Sequence, residues 1–146
     1  MAAPRIVPVP PHVRAALEEL LGGSIAHVRI IEYSRLVRLH GRAVATTRRG
    51  RIYLRGAAAA FFADPRLMLH EYCHVIHQWQ PGTLSVLRYV AECLRRGYWN
   101  NRFEVEARAF AERHAPLLRA RLGLPAPRAA LNLTAPRGGR AGPPPG

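Results

Sequence analysis

Three residues within five positions, His70, Glu71 and His74, carry the most specific chemistry in this chain. On a helix, positions i and i+4 share a face, so the imidazoles of His70 and His74 can reach one point beside it. Two imidazoles at that spacing are the beginning of a zinc site. Glu71 follows the first His, where its carboxylate can hold a water against the ion and take its proton. The run His70-Glu71-Tyr72-Cys73-His74 therefore points to hydrolysis by a metal-activated water, with Zn²⁺ as the cofactor and Glu71 as the general base.

Two imidazoles do not hold zinc tightly, because a catalytic site takes three protein ligands and leaves one position open. A later helical segment offers two carboxylates, Glu104 and Glu106. Two positions apart on a helix, they point in different directions, so only one of them is expected to face the ion. Tyr98 and His114 have the right types to stabilise an oxyanion. His77 is expected beside the site or at the surface, Cys73 and Cys93 as packed thiols, and Trp79 and Trp99 as packing residues at helix ends.

Such a site needs elements to hold it. Asp64-Pro65 reads as a helix start, with Asp as N-cap and Pro in the first turn, and the helix should run to about Trp79, before Pro81-Gly82. A second helix, about 84–96, carries Leu84, Leu87, Val90, Ala91 and Leu94 on one side and closes at Gly97. A third begins near Arg102, capped by Asn100 or Asn101, with an interruption expected at Pro116 and an end at Gly123. Upstream, 13–21 has an apolar helical face, 27–32 alternates as a strand, and 43–47 and 51–54 flank Arg48-Arg49-Gly50 as a hairpin. The expected fold class is α+β: a small three-stranded sheet with an N-terminal helix, packed against the His-Glu-x-x-His helix and two further helices.

The chain of 146 residues is expected to form one domain at 12–122, with a flexible lead-in at 1–11 and a disordered Pro/Gly/Arg-rich tail at 123–146. No apolar stretch is long enough to span a membrane, no signal peptide is legible, and two cysteines suit a reducing compartment, so the expected location is the cytoplasm. The net charge of +13 comes from 22 basic residues, all Arg. They are scattered and not interleaved with aromatics, which argues against a nucleic-acid surface and suits a protein partner with an acidic surface or an anionic substrate.

Glu104-Val105-Glu106-Ala107-Arg108 resembles the glutamate segment of the gluzincin metallopeptidases, which pair His-Glu-x-x-His with Glu-x-x-Ala/Ser-Asp on a following helix. That resemblance favours Glu104 over Glu106 as third ligand. The chain departs from it at Arg108, where the family usually has an Asp that bonds a ligating His; another carboxylate, such as Glu92, or a backbone carbonyl is the expected substitute. Over about residues 12–115 the chain also resembles the small "eCIS core" domain associated with extracellular contractile injection systems. Gly41-Arg42-Ala43, Ile52-Tyr53-Leu54 and Leu69-His70-Glu71 through His74-Val75-Ile76-His77-Gln78 are the matching runs. The resemblance implies a minimal zinc metallopeptidase with a peptide or protein substrate, or a domain that kept the fold and metal site and acts by interaction within a secretion or injection assembly.

Overall fold

The computed structural model describes residues 2–38 and 41–127. The α+β expectation holds, with one strand more than the sequence indicates. The sheet has four strands in the order β1-β2-β4-β3: β1 (Arg5–Val7), β2 (Arg29–Glu32), β3 (Ala45–Arg48) and β4 (Arg51–Leu54). β1 falls in the segment expected as a flexible lead-in. Its three residues carry a weak apolar signal, but they pair antiparallel with β2, setting Arg5 opposite Glu32. Arg5 Nε and Nη2 both donate to Glu32 Oε1, at 2.9 and 2.5 Å, and this cross-strand charge pair fixes the register.

β3 and β4 form the expected hairpin, closed by Arg49-Gly50, and Gly50 supplies the positive φ of 67° that the tight turn needs. β2 and β4 lie side by side in parallel. That leaves β3 as an edge strand, next to the helices that carry the candidate ligands.

The helices are α1 (Pro11–Leu21), α2 (Arg35–Arg38), α3 (Ala58–Phe62), α4 (Pro65–Cys73), α5 (Val86–Arg96) and α6 (Arg102–Arg121). α4 starts as its sequence indicates, with the Asp64 side chain accepting from the Leu67 N–H at 3.0 Å and Pro65 in the first turn. It does not continue as a regular α-helix to Trp79. From His74 to Trp79 the backbone widens into a π-helix, a rare form concentrated at functional sites.

The core lies between the sheet and the helices α1, α4 and α6. Leu17, Ile30, Ile52, Met68, Leu69, Tyr72 and Leu118 are fully buried there, and α4 against α6 is the most extensive helix contact. α6 runs without interruption through Pro116, contrary to the break expected near Ala115. A mid-helix proline costs about 3 kcal/mol, and burial of Leu118 in the core two residues later keeps the last turns in place. The apolar side of α5 is largely uncovered. Leu84, before the helix, is buried, but Leu87 and Leu94 are each 83 % exposed, and Val90 is 46 % exposed. No helix among the described residues is long and apolar enough to cross a membrane. The tail from residue 128 lies outside the described residues.

Candidate metal centre

α4 presents His70 and Glu71 on its last turn, the π-helical turn presents His74, and α6 presents Glu104 on its first turn. The close packing of α4 on α6 brings the four groups together. The Nε2 atoms of His70 and His74 are 3.1 Å apart. Glu104 Oε2 lies 3.2 Å from His70 Nε2, and Oε1 lies 3.5 Å from His74 Nε2. Three donor atoms of the kind that hold a metal ion thus converge on one point.

These spacings fit a metal in particular. Ligands about 2.0–2.1 Å from one zinc ion at tetrahedral angles lie about 3.3 Å from each other. The 3.1 Å between the two imidazole nitrogens, and the 3.2 and 3.5 Å from them to the two oxygens of the Glu104 carboxylate, lie close to that value. The donor set of two imidazoles and one carboxylate is also that of a catalytic zinc site, with one coordination position left over.

Burial sets the electrostatics. His74, Glu71 and Glu104 are all nearly inaccessible to solvent. Burial pushes the Glu71 carboxyl above its usual range, and the neighbouring His74 and His70 only partly counter this. Burial would also raise Glu104, but hydrogen bonds with His70 and His74 outweigh it and hold that carboxyl well below its ordinary value. Burial would lower His74, but the Glu104 hydrogen bond and the charges of Glu71 and Glu104 turn the net shift upward.

Two tyrosines reach the same carboxylate. Tyr89 donates to Glu104 Oε1 at 2.7 Å, and Tyr98 donates to Oε2 at 3.4 Å. Burial, then the charge of Glu104, pushes both phenols up, Tyr98 to about 12, so both remain donors. Tyr98 lies in the cleft, as its type allowed. His114 packs on the Phe110 ring instead. Tyr89 carries no sequence signal, because nothing in its spacing links it to Glu104 across the turn between α5 and α6.

The expected roles divide clearly elsewhere. Glu106 does not join the donor cluster; it accepts from the Gln78 side chain at 3.1 Å. Arg108 turns away, donating to the Trp99 carbonyl and stacking on the Trp99 ring. Glu92 is buried, and its charge is met by Arg95 and Arg96 rather than by His70 or His74. His77 bonds the Leu21 carbonyl at 3.1 Å, outside the donor cluster. Missed altogether was Gln78, whose Oε1 lies 2.7 Å from His74 Nδ1. Its position four residues after His74 was the available signal.

The cluster opens into a cleft of about 640 Å³. One wall is the exposed edge of β3, from Ala45 to Arg48; the other is α5, through Val86, Tyr89 and Val90. Trp79 closes one end, donating from its indole N–H to Thr47 Oγ1 at 3.3 Å. His70, Glu71 and His74 line the floor.

The eCIS core domain family model matches residues 8–82. That span includes the sheet from β2 to β4, α4 and the π-helical turn, and hence His70, Glu71 and His74, but it stops short of Glu104 and of the 12–115 span of the sequence resemblance. No curated protein and no solved structure matches the chain.

Proposed function

The chain belongs to the eCIS core domain family, and from that premise we propose that it is a metal-binding domain of an injection or secretion assembly, holding zinc through His70, His74 and Glu104. The observation that carries the metal reading is that the His70 and His74 Nε2 atoms lie 3.1 Å apart and each lies 3.2–3.5 Å from an oxygen of the Glu104 carboxylate, close to the spacing of ligands around one tetrahedral ion. Family membership supports the assembly reading and says nothing for peptide hydrolysis, so the interaction alternative has the stronger support. A net charge of +13 favours an assembly partner with an acidic surface.

A second reading, a minimal zinc peptidase, is favoured by the floor of the cleft. A zinc ion there would supply a Lewis acid. Glu71 is buried beside the cluster and lines the cleft, where its carboxylate can take a proton from water and return it to a leaving amine. The Tyr98 hydroxyl stays protonated and lines the same cleft, and giving up its long bond to Glu104 would free it to donate to a developing oxyanion.

Metal analysis of the purified protein, with His74→Ala and Glu104→Ala beside it, tests the first reading. About one zinc per chain is expected in the wild type and none in either variant. Failure of the wild type to bind added zinc would remove both readings. A peptidase assay on an unfolded protein substrate then separates them, with Glu71→Gln as control. Activity lost in the variant supports hydrolysis, and equal background in both supports the interaction domain.

A further inference from the structure

The hydrogen bonds around Gln78 go beyond the ligand set. We propose that Gln78 is the positioning residue of His74: its side-chain oxygen holds the imidazole with the proton on Nδ1, so that the Nε2 lone pair faces the donor cluster. The proposal deepens the metal-site reading and rests on it for its functional meaning.

The argument is one of donors and acceptors. Gln78 is 1 % exposed, so its amide must be satisfied from within the protein. Its Nε2 lies 3.0 Å from the Phe103 carbonyl oxygen and 3.1 Å from Glu106 Oε2. Both partners are acceptors, so the amide nitrogen must be the atom that faces them. That leaves Oε1 toward His74 Nδ1 at 2.7 Å. An amide oxygen only accepts, so Nδ1 carries a proton, and a neutral imidazole has just one. In the neutral ring Nε2 is then the lone pair, 3.1 Å from its counterpart on His70, and the hydrogen bond to Glu104 belongs to the protonated ring.

α6 supplies a second carboxylate to this arrangement. Glu106 reaches His74 at one remove, through the Gln78 amide, while Arg108 is engaged with Trp99. Glu104 and Glu106 thus point to different partners, as their two-residue spacing requires, and both serve His74. His77 does not compete, because its ring nitrogens face Leu21 and Cys73.

Long-range ¹H–¹⁵N NMR of the imidazoles in the full chain tests the assignment without any variant. It is recorded metal-free at a pH high enough to neutralise histidine, and again with zinc. His74 is expected as the Nδ1–H tautomer in both; an Nε2–H tautomer in the metal-free wild type would overturn the proposal. Zinc titration against a chelator adds the functional measurement. Gln78→Met, which keeps the bulk and loses the acceptor, is expected to weaken zinc binding about 10- to 100-fold. Unchanged affinity in Gln78→Met would also sink the assignment. A wild type that binds no zinc yet shows the Nδ1–H tautomer would instead fault the metal reading and leave the Gln78 contact standing.

Discussion

The hydroxyl of Tyr89 lies 2.7 Å from Glu104 Oε1 and joins α5 to the carboxylate that completes the donor cluster. α5 has few other ties to the body of the protein, among them the Asn101 side-chain donation to the Tyr89 carbonyl at 3.3 Å and to Cys93 Sγ at 3.2 Å. The bond therefore works in both directions: it orients Glu104 and anchors one wall of the cleft. Hydrogen bonds to charged groups contribute about 1.5–3 kcal/mol. Tyr89→Phe is expected to weaken zinc binding about tenfold, as loss of a partner to a ligand commonly does. Tyr98→Phe, whose bond is 3.4 Å long, should have the smaller effect. Competition with a chromogenic chelator measures both, and a larger effect at Tyr98 would reverse the assigned roles.

The exposed side of α5 leads to a stability prediction. Leu87 and Leu94 repeat at helical spacing on the apolar side of α5, yet each is 83 % exposed. Substituting either by Gln should change unfolding stability by no more than about 0.5 kcal/mol. Leu69→Ala, at a fully buried position on α4, should cost about 2–5 kcal/mol. Urea unfolding followed by circular dichroism compares them directly. A loss above about 2 kcal/mol at Leu87 would mean that α5 packs against the body in solution.

Zinc should stabilise the fold, because its donors come from two helices that unfolding separates. At a free concentration a hundredfold above its dissociation constant, a ligand specific to the folded state adds about 2.7 kcal/mol. Thermal unfolding with zinc and with a chelator should show that difference in the wild type. Glu104→Ala should abolish it. Glu106→Ala should retain it at saturating zinc, since Glu106 contacts Gln78 and not the donor cluster. The opposite pattern would exchange the two glutamates.

What the sequence made legible was local. Asp64-Pro65 marks the start of α4 because N-capping is settled within four residues, and His70 with His74 reads as one face because i,i+4 spacing is a property of one helix. Chemistry led to the pair Glu104 and Glu106, since a zinc site needs a third ligand from elsewhere, and the family resemblance favoured Glu104. Tyr89, by contrast, meets Glu104 only through the path of the chain between α5 and α6. β1 was missed because three residues carry too little alternation; its place depends on Arg5 finding Glu32 across 27 positions. Amphipathicity showed that α5 has an apolar side, but not whether another element would cover it.

Glu32 gives the fold a measurable acid sensitivity away from the donor cluster. Its Oε2 accepts from the Ala58 N–H at 2.8 Å, at the first residue of α3, and its Oε1 accepts from Arg5 on β1. The Ala58 bond is the largest influence on this carboxyl. Burial opposes it, the contact with Arg5 reinforces it, and the net effect lowers the carboxyl from its ordinary 4.5. A carboxyl depressed in the folded state binds its proton more readily when unfolded, so its contribution is complete above that ordinary value and is lost as pH falls through the lower folded one. Glu32→Gln keeps an acceptor for Ala58 but loses the charge that meets Arg5. The variant should be less stable than wild type at pH 7, and the gap should narrow steadily once the pH drops below about 4.5. Because every other carboxylate titrates in both proteins, the difference between their urea midpoints isolates Glu32. A gap that stays constant down to acid pH would show that this carboxyl is not depressed and that its bonds to β1 and α3 do not depend on its charge.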